Sequence, residues 1–100
     1  MSPRPFHHVA LFRLRAGVTL DRVRSARDEL QSLIETLPGV LHFAVSENLA
    51  KDAQGFRLVL FSVFEDRPAF EIFRRHPEWQ RVHDELLAPV VSDRIEAEGG

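Results

Sequence analysis

The stretch FHHVALFRL, residues 6–14, is apolar on both faces of the β-strand that it predicts. Alternate side chains of a strand point to opposite sides of a sheet, so Val9 and Leu11 share one side. The stretch FRLVLFSVF, residues 56–64, repeats the pattern. The helices of a small domain cover only one face of its sheet, so we predict that a second copy of the chain covers the other. The residues expected at this homodimer interface are Val9, Leu11, Val59, Phe61 and Val63.

Length and composition favour a small globular protein that gains stability from association. We interpret the 100 residues as one domain, residues 1–100. A monomer of this length buries only about 65% of its unfolded surface. No cysteine is present, which excludes disulfides and thiolate chemistry. The net charge of -2 comes from interleaved acidic and basic residues, so no nucleic-acid partner is expected.

The sequence shows no targeting or membrane segment. The N-terminal residues 1–5, MSPRP, lack the apolar core of a signal peptide. No apolar run approaches the roughly 20 residues that a membrane-spanning helix needs. We therefore expect a cytoplasmic protein with no membrane partner.

The predicted elements follow in the order strand, helix, strand, strand, broken helix, strand. Thr19 is placed to cap the first helix, which ends at Pro38 and Gly39. Asp66 is placed to cap the second, which breaks before Pro77 because the residue preceding a proline avoids the helical region. This order predicts an α+β, ferredoxin-like βαββαβ protomer with a four-stranded antiparallel sheet and helices on one side.

The last predicted strand, residues 90–98, has an apolar and a polar side. The apolar side carries Val91, Ile95 and Ala97. The polar side carries Ser92, Arg94, Glu96 and Glu98. We interpret the polar side as solvated, as expected for a strand at the edge of a sheet.

Histidines are the residues most able to carry chemistry in this chain. His7 and His8 are adjacent on a strand and therefore diverge, and no helix carries a His-x-x-x-His pair. We predict no metal site and no cofactor. His8 either hydrogen-bonds a neighbouring group or contacts a ligand, whereas His76 is interpreted as a helix cap and His83 as a solvated side chain.

Five short segments keep one order and spacing along nearly the whole chain. They are HVALFRL (8–14), LPGV (37–40), FED (64–66), HP (76–77) and LAPVVSDR (87–94). Together they resemble the stress-responsive dimeric α/β-barrel domain family. The resemblance implies a ferredoxin-like protomer whose sheet packs on a partner's sheet to form a dimeric α/β barrel.

The resemblance says less about a reaction, because most members of that family have none assigned. A few are polyketide cyclases with a histidine acid–base residue in the pocket, and here Trp79 stands at its position. Leu58 stands at a second pocket histidine, and Leu30 and Phe73 lie near the pocket tyrosines. Only His8 keeps a matching titratable group. Tryptophan donates from its indole N–H but cannot accept a proton, which weakens the cyclase interpretation.

The function predicted first is a small-molecule-binding barrel of the stress-responsive class, with a pocket for an apolar or aromatic ligand between sheet and helices. The predicted pocket residues are His8, Leu30, Leu58, Phe73 and Trp79. The aromatic residues fit a filled core equally well. The alternative is a polyketide cyclase-like or related lyase enzyme with His8 as general base, and a third interpretation is an assembly without a ligand. Whether the chain is an enzyme stays open at this point.

Overall fold

The order of strands and helices is that of a ferredoxin-like βαββαβ protomer, in a computed structural model of the chain that describes residues 4–34 and 37–100. The strands are β1 (Phe6–Leu14), β2 (Val40–Glu47), β3 (Phe56–Phe64) and β4 (Val91–Gly99). The helices are α1 (Leu20–Ile34), α2 (Arg67–Arg75) and α3 (Pro77–Val82), and α3 continues into a π-helical segment (His83–Leu87). Part of the N-terminal stretch considered for a signal segment, residues 1–3, lies outside the described residues.

The strands form one antiparallel sheet in the order β2-β3-β1-β4. β1 and β3 occupy its centre, and Val9 lies opposite Phe61 in their register. The predicted α+β, ferredoxin-like fold with a four-stranded antiparallel sheet is confirmed. Among the residues that the structure describes, no helix is both long enough and apolar enough to cross a membrane.

The core lies between one face of the sheet and the helices. Phe12 and Leu60 contribute from the sheet, while Leu30 and Leu87 contribute from the helical layer, and all four are buried. Phe64 joins the two layers, since its ring lies 5.2 Å from that of Phe70 and 5.1 Å from that of Phe73.

The helix ends agree with the capping residues predicted from the sequence. Thr19 Oγ1 accepts a hydrogen bond from the backbone N–H of Arg22 at 3.3 Å, at the start of α1. The break between α2 and α3 falls at His76, whose Nδ1 accepts from the N–H of Glu78 at 3.1 Å. These side chains satisfy backbone donors that the first turn of a helix leaves without partners.

Asp66→Ala is expected to lower the free energy of unfolding by about 1 kcal/mol. Asp66 is the N-cap of α2, and its Oδ1 accepts from the N–H of Ala69 at 2.8 Å. Urea denaturation at one fixed protein concentration measures the loss. Asp66→Asn is the matched control, because it keeps the acceptor oxygen and should retain most of the stability. Equal losses in the two variants would contradict the capping role.

The sheet face turned away from the helices is apolar, and we call it the open sheet face. It carries the residues predicted for the dimer interface: Val9, Leu11, Val59, Phe61 and Val63. Phe61 is 37% exposed at the centre of this face. The rings of His7 and His42 lie 6.4 and 5.7 Å from its ring.

One side-chain assignment in β4 is wrong in the sequence analysis. Val91 does not share the side of Ile95, because the register with β1 shifts between Arg13 and Leu14, so that Leu14 pairs with Val91. This irregularity turns Val91 into the core. Beyond it, Ile95 pairs with Leu11 on the open sheet face. The polar side of β4 therefore lies on the helix side of the sheet.

Candidate functional site: a cleft between the sheet edge and the helical layer

A cleft of about 380 Å³ opens between the β1–β4 edge of the sheet and the helical layer. α2 contributes Phe70, Phe73 and Arg74 to its wall. α3 and the π-helical segment contribute Trp79, Gln80, His83 and Asp84. The strands contribute His8, Arg94 and Glu96. The volume is in the range of sites for small organic ligands.

Aromatic rings form one wall of the cleft. The Phe73 and Trp79 rings lie 4.9 Å apart, and the Trp79 ring lies 6.2 Å from that of His83. Further along the wall, the Phe70 ring is 5.0 Å from that of His8. Phe70 and Phe73 are buried, while Trp79 is half-buried. The wall is therefore an apolar aromatic surface, with Trp79 its more exposed ring, and such a surface is suited to an aromatic ligand.

His8 and Glu96 form a polar pair at one end of the cleft. His8 Nε2 lies 3.0 Å from Glu96 Oε1, with His8 buried at 6% exposure. An ionised carboxylate can only accept, so Nε2 carries the proton of this hydrogen bond. His8 Nδ1 is buried and has no hydrogen-bond partner among the described residues. In the neutral imidazole of His8, the remaining lone pair is on the buried Nδ1. Glu96 is therefore the acceptor of this pair that a ligand can reach.

Arg94, His83 and Asp84 form a second polar group in the cleft. Arg94 Nη2 lies 2.6 Å from His83 Nε2, and His83 Nδ1 lies 3.1 Å from Asp84 Oδ1. A guanidinium can only donate, so His83 Nε2 accepts and its Nδ1–H donates to Asp84. The Arg94 guanidinium also lies over the Phe12 ring, 5.5 Å from its centre. Two contacts thus hold this cation in place.

The cleft does not present a recognisable metal site. Within residues 4–34 and 37–100, no three His, Asp or Glu side chains are grouped to hold a metal ion. Its chemistry is that of an apolar wall with hydrogen-bonding groups at its edges.

A family model described as the stress responsive A/B barrel domain matches residues 6–98. The chain belongs to that family. The resemblance found in the five sequence segments is therefore confirmed. The curated proteins compared with the chain include no match.

Several solved structures share the fold of this stress responsive A/B barrel chain. A dimeric ferredoxin-like protein of unknown function from Thermobifida fusca is 22% identical, with a TM-score of 0.86 over 98% of this chain and 92% of that one. A hydroxynitrile lyase from Passiflora edulis is 16% identical, with a TM-score of 0.84 over 97% and 93% of the two chains. A Dabb family protein with a ferredoxin-like fold from Mesorhizobium loti is 16% identical, with a TM-score of 0.83 over 96% and 95%.

The structure brings some of the predicted pocket residues of this family member together. His8, Phe73 and Trp79 all line the cleft. Leu30 and Leu58 lie in the closed core, at 0% and 1% exposure, and do not line the cleft. Leu58 pairs with Phe12 in the sheet beneath the helices. Leu30 lies on α1, and none of the α1 side chains that the structure describes lines the cleft.

Apart from His8, sequence reasoning missed the polar residues of the cleft in this A/B barrel chain. The polarity pattern predicts a solvated strand side for Arg94 and Glu96 and a solvated helix face for His83. A usable signal was the strand order, because β4 neighbours β1 in a ferredoxin-like sheet and presents alternate residues to the side that holds His8. No comparable signal points to His83, which the π-helical segment carries to the cleft.

Proposed function

We propose that the protein is a homodimeric small-molecule-binding barrel whose ligand site is the cleft beside His8. The observation that carries the proposal is the aromatic wall of Phe70, Phe73 and Trp79, which faces hydrogen-bonding groups across a cleft of ligand size. Apolar walls with a few placed polar groups are typical of small-molecule sites.

Two observations support the homodimer. The open sheet face presents a contiguous apolar surface that the chain's own helices do not cover. Contiguous apolar patches of this kind mark association surfaces in soluble proteins. The similar protein from Thermobifida fusca is described as dimeric. A second copy packed sheet to sheet closes the barrel and leaves the cleft open on the outer side of each sheet. The contact residues in this arrangement are Val9, Leu11, Val59, Phe61 and Val63.

The hydrogen bonding of His8 favours binding over catalysis. A general base needs a free lone pair within reach of the proton that it takes. His8 Nε2 carries a proton that it donates to Glu96, and Nδ1 is buried with no hydrogen-bond partner among the described residues. For Nε2 to accept a proton, the ring must hold its own proton on Nδ1 while Glu96 is protonated or displaced. The pair as arranged is suited to hydrogen-bonding a ligand.

Native mass spectrometry of the freshly purified protein tests this function directly. We expect a dimer that carries additional mass, or a dimer that acquires the mass of an added neutral aromatic probe such as cinnamamide. The sole tryptophan, Trp79, lines the cleft, so its fluorescence should change saturably with the same probe. A dimer that binds no probe and shows no change in Trp79 emission would contradict the proposal.

A second candidate function is a lyase that uses the His8–Glu96 pair. The pair faces a cleft, as a catalytic base and its orienting partner would, and the fold matches that of a hydroxynitrile lyase. Cleavage of a hydroxynitrile moves the hydroxyl proton to the base, forms the carbonyl as the carbon–carbon bond breaks, and releases cyanide, which takes up a proton. His8 would be the base in the tautomer that carries its proton on Nδ1, with Glu96 displaced so that the Nε2 lone pair is free.

His8→Ala separates the two candidates, with mandelonitrile as the test substrate for cleavage and cinnamamide as the test ligand for binding. In a binding protein, the wild type does not cleave mandelonitrile. The variant binds cinnamamide only about 2- to 10-fold more weakly, because it loses the one hydrogen bond that holds Glu96 in place for the ligand. In a lyase, the wild type cleaves it and the variant loses the activity about 10²–10⁴-fold while it still binds the probe. Release of benzaldehyde and retention of the probe are the two measurements.

A further inference from the structure

We propose that the cleft is selective for aromatic carboxylates, with the carboxylate held by Arg94 and the ring stacked on Phe73 and Trp79. This inference rests on the proposed binding function and names the ligand class of the same cleft. It depends on the charge, orientation and surroundings of one arginine.

Within residues 4–34 and 37–100, Arg94 is a cation without a carboxylate partner. Among the described residues, no Asp or Glu oxygen lies within 4.0 Å of its guanidinium, whereas Arg74 at the same cleft pairs with Glu71 at 2.9 Å. The other arginines without such a partner, Arg4, Arg15, Arg22, Arg57 and Arg67, are all exposed. Arg94 is half-buried, so water screens its charge less. A partly buried cation is stabilised when an anion binds next to it.

Arg94 is also held in place in advance of any ligand. His83 accepts a hydrogen bond from one N–H of the Arg94 guanidinium, and the Phe12 ring covers one face of that guanidinium. A guanidinium has five N–H donors in a rigid planar fork that matches the two oxygens of a carboxylate. Asp84 fixes the His83 tautomer that accepts from Arg94. Among the described residues the Arg94 guanidinium makes no other hydrogen bond, so its remaining donors are available to a ligand. This preorganisation reduces the entropy lost on binding.

The charges of the cleft favour one carboxylate and orient it. Glu96 lies two residues beyond Arg94 on the same side of β4, roughly 6.7 Å along the strand. Its charge repels an anion at the His8 end and so directs the carboxylate to the Arg94 end. With Asp84 also at the cleft, a dianionic group such as a phosphate would meet more repulsion than a single carboxylate does.

The ring position follows from the same groups. Trp79 lies between Phe73 and His83 along the cleft wall, and His83 contacts Arg94. A ligand whose carboxylate lies on Arg94 therefore places an attached ring against Trp79 and Phe73. Aromatic pairs at such separations are attractive beyond the area that they bury.

Cinnamate and cinnamamide test the proposal, because they share shape and ring and differ in charge. In calorimetric titrations of the full-length wild-type protein, we expect cinnamate to bind at least about 10-fold more tightly than cinnamamide. Arg94→Gln should weaken cinnamate binding by about 10- to 100-fold and change cinnamamide binding little. Arg94→Lys, which keeps the charge and loses the fork, should give an intermediate affinity for cinnamate.

Arg15→Gln is the matched control. Arg15 is an exposed arginine outside the cleft, and it has no carboxylate partner in the part of the chain that the structure describes. It should bind both probes as the wild type does. Circular dichroism establishes that each variant is folded. Equal wild-type affinities for the two probes, or unchanged cinnamate binding in Arg94→Gln, would overturn the carboxylate selectivity and leave the binding function standing. Failure of both probes to bind or to change Trp79 emission would overturn both proposals.

Discussion

Phe61→Arg is expected to convert the protein from a dimer into a monomer or an aggregate. Phe61 lies at the centre of the open sheet face, between Val9 of β1 and Ala44 of β2 in the registers of the sheet. In a sheet-to-sheet dimer, an arginine there has the apolar residues Val9 and Ala44 beside it and would be buried against an apolar partner. An unpaired buried charge of this kind destabilises an interface by several kcal/mol.

Sedimentation or native mass spectrometry measures the result, because a monomer has the mass of one 11.5 kDa chain. Ile72→Arg is the matched control, since Ile72 is a large apolar side chain on α2 that is 63% exposed and lies away from the sheet. It should leave the subunit number unchanged. A dimer that persists in Phe61→Arg, or one that is lost equally in both variants, would contradict the sheet-to-sheet arrangement.

The two-sided character of the central strands could be predicted from the sequence for a simple physical reason. Side chains alternate without interruption from Phe6 to Phe12, and the pairing of β1 with β3 keeps Val9 opposite Phe61 over that length. Period and polarity then determine which side each residue takes. The helix breaks were equally accessible, because Pro77 restricts the backbone of His76 whatever surrounds it.

Val91 shows where this reasoning fails. An extra residue in β4 relative to β1 reverses the side on which Val91 lies, and strand periodicity contains no information about such an irregularity. The sequence places Val91 with Ile95 only if the strand is regular throughout. The register, which tertiary packing sets, turns it into the core instead.

The polar half of the cleft depends on contacts between distant segments. His8 and Glu96 are separated by 88 residues in the chain, and His83 reaches Arg94 through a π-helical segment. The rule that edge strands have a solvated side predicts solvent around Arg94 and Glu96. It contains no information about the helices that line the same cleft. Aromatic residues were more predictable as cleft candidates, because Phe73 and Trp79 flank the helix break at which regular packing ends.

Phe64→Ala is expected to lower the free energy of unfolding by about 3–5 kcal/mol. Phe64 is 0% exposed, and its ring contacts those of Phe70 and Phe73, so its removal leaves a cavity between the sheet and α2. Proteins of this size have a total stability of about 5–15 kcal/mol, so the loss is a large fraction of the whole. Urea denaturation measures it, at one protein concentration because dimerisation contributes to apparent stability.

Phe64→Leu is the matched variant, because it keeps most of the buried volume and should lose markedly less stability. Phe64 also links the core to the cleft through Phe73. Phe73 packs against Phe64 on one side and against Trp79 on the other, at 5.1 and 4.9 Å. A cavity beneath Phe73 removes the support of the cleft wall, so folded Phe64→Ala should also bind cinnamamide more weakly than Phe64→Leu does. A stability loss no larger than that of Asp66→Ala would show that the ring cluster does not hold α2 on the sheet.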